Sequence, residues 1–264
     1  MAPQVFARAD ADAVAFFGTN GWVMTRTLDA EGAERLRGWV DEIMAWPDDA
    51  GNWIHYREMT EHGPRLCRTE NFVPYHEGIR ALLTEGPMIE AASALLGEPA
   101  VLYKEKINYK AAGGAGFSPH QDAPAYRFID QHISCMVAVD DADAANGCLE
   151  VVSKRHQEVL PMDADGCIRG DVVTAMAWET VPVLAGTTLW FHSRTPHRSG
   201  PNTSNRDRRA LYPTYNALRE GDLRDAYYEQ KFAEFAAAEA DGTDRKSTRL
   251  NSSHIPLSRM PSSA

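Results

Sequence analysis

Apolar positions in the first hundred residues recur three and four apart. Ala33, Leu36, Trp39, Val40, Ile43 and Met44 share one stripe, which predicts a helix from Asp29 to the stop at Pro47. A second helix is expected from Pro87, a good first helical residue, through Met88, Ile89, Ala92, Leu95 and Leu96 to a capping Gly97. This region otherwise reads as helical with one early strand, GWVMTRTL (21–28), after a turn-like Thr-Asn-Gly.

From Val101 the period shortens. Candidate strands are residues 101–109, 132–140, 148–152, the VPVL run, 187–192 and 209–216. Asn146-Gly147, just before CLEVV, is a strong hairpin signal. Many short strands punctuated by Gly, Pro and Asn suggest a jelly roll or related barrel. The fold class expected is therefore α+β, mainly β: a double-stranded β-helix (jelly roll, cupin-like) flanked by N-terminal helices. Residues 222–236 read as a closing helix, and no repeat or linker divides residues 1–243, so one domain is expected.

Residues 244–264 depart from this pattern. They are rich in Ser and base, and DRKSTRLNSSH reads as an in-frame translation of a sequencing-library adapter. A disordered, non-native tail is expected, and with it the loss of a native C-terminal segment.

Composition narrows the class. With 264 residues, 44% hydrophobic and 24% charged, the chain can bury a core without disulfide or metal staples. A net charge of −10 argues against nucleic acid and anionic membranes, which need a basic footprint. Cys67, Cys135, Cys148 and Cys167 form no C-x-x-C pair and read as buried thiols of a reducing compartment. The N-terminus lacks the base and apolar core of a signal peptide, and no run approaches the ~20 apolar residues of a membrane span. A cytoplasmic protein acting on a small molecule is the expectation.

The candidate chemistry begins at His120-Gln121-Asp122. In an extended segment, residues two apart point to one side, so imidazole and carboxylate can reach one metal. H-x-D alone is a weak signal. A second histidine downstream would complete a two-His, one-carboxylate triad with three coordination positions open. His192 and His197 are both candidates for it. The other local signals are blander. Lys104, Lys106 and Asn108 share one face of the first long strand, and either lysine could meet an anion or simply face water. Gln121, Tyr126 and Trp190 flank the ligands as contacts or as wall, and Asn146 and Gly147 read first as turn formers. Asn202 and Thr203 are expected to organise the loop after His197.

Three segments together resemble the phytanoyl-CoA dioxygenase family, in its small-molecule hydroxylase branch: GFSPHQDAPAY (116–126), NGCLEVVSKRH (146–156) and the run at 186–216. The resemblance spans about residues 15–235. It implies Fe(II) held by His120, Asp122 and His197, with 2-oxoglutarate and O2 as co-substrates. It implies that Arg208 clamps the distal carboxylate of 2-oxoglutarate, helped by Ser199, with Asn108 in reach. A planar guanidinium suits a carboxylate better than an ammonium does. Arg209, the neighbour, must point to the opposite face of a strand. Lys104, Gln121 and Tyr126 are the expected substrate contacts. Related halogenating enzymes lack the carboxylate, so Asp122 implies hydroxylation or another oxidation rather than halogenation. The segments look closest to phosphonate hydroxylases, with an aminophosphonate as the best guess. Ectoine, amino-acid or acyl-CoA hydroxylation, and a non-catalytic jelly-roll binder, are the alternatives.

Overall fold

The computed structural model describes residues 3–48, 51–60, 63–126, 129, 131–240 and 247–249. Strand pairing gives a nine-stranded and a four-stranded sheet. The large sheet contains β1 (Val5–Phe6), β2 (Trp22–Arg26), β3 (Ile54–Thr60), β4 (Gly63–Glu70), β5 (Ala100–Lys110), β7 (His132–Ala138), β10 (Thr187–His192), β12 (Arg208–Ala217) and β13 (Ser247–Arg249). Its order is β1-β2-β10-β7-β12-β5-β4-β3-β13. The small sheet runs β6-β11-β8-β9, from β6 (Phe117–His120), β11 (His197–Ser199), β8 (Leu149–Val151) and β9 (Glu179–Val181).

Alternation along the strands assigns the faces. On β7, Ile133, Cys135 and Val137 join one apolar cluster, while Met136 and Ala138 join another. The first cluster packs the large sheet against α1 (Ala11–Asn20), α2 (Ala30–Met44), α3 (Glu77–Thr84) and α4 (Gly86–Leu96). The second contains Leu149, Val151 and Val181, so it fills the space between the two sheets. This is the expected double-stranded β-helix with N-terminal helices outside. Trp190 belongs to the outer cluster and donates its Nε1–H to Thr25 at 2.9 Å, so it is core and not site wall.

The helices start and stop where their caps dictate. Asp29 accepts from the Gly32 amide at 2.8 Å at the start of α2. Gly97 closes α4 in the left-handed conformation, φ 76°. The first hundred residues hold more β-structure than the expected single strand: β1, β3 and β4 are additional. The hairpin β3–β4 escapes an apolar reading because β4 buries charge, with Arg68 and Glu70 both about 2% exposed. Within the tail expected to be disordered, Ser247–Arg249 pair in parallel with β3; an otherwise open edge strand offers unpaired backbone groups to such a partner. The rest of the tail lies outside the described residues. Among the described residues, no helix is long and apolar enough to cross a membrane.

After the short α5 (Gly170–Thr174), the closing helix is α6 (Arg224–Ala240), and two buried ion pairs fasten it to the sheet. Arg224 grips Glu105 with Nη2 at 2.6 Å and Nε at 3.1 Å, and Lys231 pairs with Glu70. Tyr228 donates its hydroxyl to the Glu105 carbonyl at 3.0 Å. Removing one partner leaves a charge buried and unpaired, which costs about 3–5 kcal/mol. Arg224→Ala should therefore lose about 3–5 kcal/mol in urea unfolding, far more than Arg35→Ala in the exposed pair with Glu31. Equal losses would contradict this role for α6.

Candidate active site

The small sheet brings the two histidines together. β6 and β11 pair antiparallel with His120 opposite His197, and their rings lie 4.2 Å apart. Asp122 follows β6 at a turn, where its backbone is helical rather than extended. The chain thus folds back after His120, and the carboxylate still converges on the same point. Asp122 Oδ1 is 3.9 Å from Nε2 of each histidine, and the three ligand atoms lie within 4.8 Å of one another.

The surroundings fix which atoms face inward. His120 donates its Nδ1–H to the Ser118 carbonyl at 2.7 Å, and His197 does so to Thr195 at 3.0 Å. A carbonyl only accepts, so Nδ1 carries the proton and each Nε2 turns a lone pair to the centre. Ser134 Oγ donates to Asp122 Oδ2 at 2.5 Å, which leaves Oδ1 for the centre. Burial, and then the neighbouring His197 ring, pushes His120 down to about 3, so its imidazole is neutral. Burial alone would raise Asp122, but His197, His120, Lys106 and the Ser134 hydrogen bond together hold it below the usual carboxylate range. Three acceptors aimed at one point, too far apart for hydrogen bonds between them, fit a metal cation.

His192 is not part of this group. Its Nδ1 accepts from the Arg194 amide at 3.0 Å, and its ring lies against His156 and Phe17.

Beyond β11 lies a cationic corner. Arg208 is 1% exposed, donates from Nη2 to the Gly147 carbonyl at 3.2 Å, and has no hydrogen-bond partner at Nε. Among the described residues no carboxylate pairs with it, so a donor-rich group is buried with an unused edge. Arg209 faces the other way, paired with Asp140 at 2.8 Å and with Asp41. Ser199 sits two residues along β11 from His197, roughly 7 Å by strand rise.

The cavity itself is lined by Lys106, Asn108, Phe117, Tyr126, Ser134 and Tyr212 together with the triad. Asn108 Oδ1 accepts from Arg68 Nε at 3.2 Å. Of the expected substrate contacts, Tyr126 lines the cavity and the other two do not. Lys104 lies behind Tyr126, with Nζ 4.3 Å from its ring centroid, and Lys106 is the lysine on the wall. Gln121 spends its side chain on loops, donating to the Glu158 and Arg194 carbonyls and accepting from the Leu160 amide. Asn202 does organise its loop, bonding the Lys110 and Arg206 carbonyls and Ser204. Thr203 ties that loop to Ala145 at 3.0 Å. Sequence reasoning missed Ser134 and Lys110. Extending the Lys104-Lys106-Asn108 alternation by one step would have reached Lys110; nothing marks a lone serine among apolar neighbours.

Comparison with known proteins places the chain. Residues 17–210 match the family model described as phytanoyl-CoA dioxygenase (PhyH). The chain is 50% identical over 213 residues to a methylphosphonate hydroxylase of Gimesia maris, covering 80% of this chain and 82% of that protein. It is 39% identical over 236 residues to a 2-aminoethylphosphonate dioxygenase from an uncultured bacterium, covering 86% and 90%. A crystal structure of EctD from S. alaskensis with 2-oxoglutarate and 5-hydroxyectoine shares the fold, with a TM-score of 0.71 at 19% identity over 83% of this chain and 84% of that one. This chain belongs to the phytanoyl-CoA dioxygenase family. It is an enzyme of the iron- and 2-oxoglutarate-dependent oxygenase class, and its buried triad and cationic corner fit those two groups.

Ser134→Ala removes the donor that orients Asp122. Such partners of a ligand typically contribute 10–100-fold in metal affinity. Calorimetric titration of Fe(II) under argon should show a dissociation constant raised about 10–100-fold, with the unfolding midpoint little changed. Unaltered iron affinity would exclude this role for Ser134.

Proposed function

We propose that this enzyme hydroxylates a C–H bond of a small phosphonate, with methylphosphonate favoured. The observation that carries the reading is Lys106. It is the cation among the residues lining the cavity, and Asp122 is the one carboxylate among them. Burial, with Arg68 and Lys104 nearby, pushes the Lys106 ammonium well below its ordinary range, and an entering dianion would favour its charged form. Asn108 and the hydroxyls of Tyr126 and Tyr212 add polar groups for phosphonate oxygens.

The same lining distinguishes two phosphonates. Among the described residues of the lining the one carboxylate, Asp122, faces the metal position, so an aminoethyl group would bring in an ammonium with no partner among them. A methyl group asks for no such partner and fits beside Phe117, Leu149 and Phe191. This favours methylphosphonate over 2-aminoethylphosphonate. The names of the two relatives support the phosphonate class, and the more similar of the two acts on the methyl compound by its name.

His120, Asp122 and His197 would hold the iron, and Arg208 with Ser199 the distal carboxylate of 2-oxoglutarate. Bound there, iron with 2-oxoglutarate and O2 supplies the oxidation: one oxygen atom enters the C–H bond as hydroxyl, and the other leaves in succinate as CO2 is released. The chain's part is orientation, through the inward lone pairs, the clamp at Arg208 and the anion contact at Lys106.

Anaerobically purified enzyme, given Fe(II), 2-oxoglutarate and air, should convert methylphosphonate to hydroxymethylphosphonate with matching succinate, followed by phosphorus NMR. A higher kcat/KM for 2-aminoethylphosphonate would reverse the order of substrates. Turnover of neither would overturn the reading. Lys106→Met should raise the KM for methylphosphonate about 10–100-fold, as expected for a lost charged hydrogen bond, and leave iron affinity intact. Unchanged KM would exclude Lys106 as the phosphonate contact.

A further inference from the structure

Lys104 precedes Lys106 by two residues on β5 and so shares its face. It is 5% exposed, and among the described residues its ammonium makes no hydrogen bond and no ion pair. An ammonium has three donors and no acceptor, so burial in this state is costly. Burial pushes it down to about 8 against the attraction of Glu70, and that carboxylate is already paired with Lys231 and Arg68. What the ammonium does touch is aromatic. It lies 4.3 Å from the ring centroid of Tyr126 and 5.8 Å from that of Tyr227 on α6. A cation is drawn to the electron-rich face of such a ring.

Tyr126 is the informative member. Tyr103 and His132 lie nearly perpendicular to its ring, at centroid distances of 5.7 and 4.9 Å and angles of 80° and 84°. With Lys104 they fix the ring, and Tyr126 itself stands on the cavity wall. Among the described residues its hydroxyl makes no hydrogen bond, so the O–H is left for a ligand. A positive charge against the ring face draws electron density from the ring and from the phenol oxygen. The O–H becomes a stronger donor, which suits a partner that only accepts, such as a phosphonate oxygen. We propose that Lys104 is a positioning residue for the phosphonate: its ammonium holds the Tyr126 ring on the cavity wall and sharpens the phenol O–H as a donor to a phosphonate oxygen. Tyr227 closes the far side of the ammonium, so α6 supports the substrate wall without lining the cavity. Lys104 and Lys106 then serve one anion in two ways, the first through a ring and the second directly.

The inference rests on the reading of the substrate as a phosphonate, and the test separates the two. Dissociation constants for methylphosphonate are measured calorimetrically on the protein loaded with Fe(II) and 2-oxoglutarate under argon, for wild type, Lys104→Met, Tyr126→Phe and the double variant. Tyr126→Phe keeps the ring and removes the hydroxyl; it should weaken binding about 10–100-fold, as for a lost hydrogen bond to a charged group. Lys104→Met should weaken binding about 3–10-fold on its own and less than about twofold beside Tyr126→Phe, because the charge acts through the hydroxyl. It should raise the KM for methylphosphonate with kcat at saturation retained, and leave affinity for iron and 2-oxoglutarate unchanged. The thermal unfolding midpoint of Lys104→Met should equal or exceed that of the wild type. An apolar chain then replaces a buried charge that no acceptor satisfies, and Glu70 keeps Lys231 and Arg68. Wild-type affinity in Lys104→Met, an equal loss in both backgrounds, a lowered midpoint or failure to fold would each overturn the inference. Absence of methylphosphonate binding by the wild type would instead overturn the phosphonate reading on which it rests.

Discussion

Asp122 Oδ1 stands 3.9 Å from two imidazole nitrogens that carry lone pairs, and all three groups are buried. Three acceptors brought together away from water are costly unless a cation joins them. The fold is arranged to hold them there. Cross-strand pairing of β6 with β11 sets the distance between the histidines. Backbone carbonyls fix their tautomers, and a serine from the large sheet fixes the carboxylate. The site therefore needs both sheets, and the packed core between them keeps it in register.

The second constraint is electrostatic and runs along one strand face. The chain is acidic, yet the inner face of β5 carries Lys104, Lys106, Asn108 and Lys110. Lys106 lies on the cavity wall, and Lys110 joins Arg208 at the corner. Alternate residues put these two lysines roughly 13 Å apart. Two separate positive poles in one acidic protein suit the two anionic reactants proposed for it, a diacid and a phosphonate. The buried ion pairs of α6 brace the middle of the same strand through Glu105 and through Glu70 on the neighbouring β4.

Much of this was legible in the residues. The strands after Val101 announced themselves by short period and turn residues, and β5, β7, β10 and β12 fall where the pattern placed them. His120, Asp122 and His197 were legible as a set only through the family resemblance, since His192 was also a candidate on local pattern. Arg208 and Arg209 were separable because neighbours on a strand face opposite ways. What stayed hidden has a common cause. The hairpin β3–β4 buries Arg68 and Glu70, so hydrophobicity does not mark it. Gln121 looked like a site residue by adjacency, but its amide is spent on loops from distant sequence. Lys104 and Lys106 share a face, and only packing against Tyr126 separates them. Such roles depend on contacts between segments far apart in the chain, which no local pattern encodes.

The most direct measurement is an anaerobic crystal structure with Fe(II), 2-oxoglutarate and methylphosphonate. The account predicts iron on His120, Asp122 and His197, the distal carboxylate of 2-oxoglutarate on Arg208 and Ser199, and the phosphonate on Lys106 with its methyl group turned to the metal. Iron bound without His197, or phosphonate seated on Arg208 with Lys106 untouched, would contradict it.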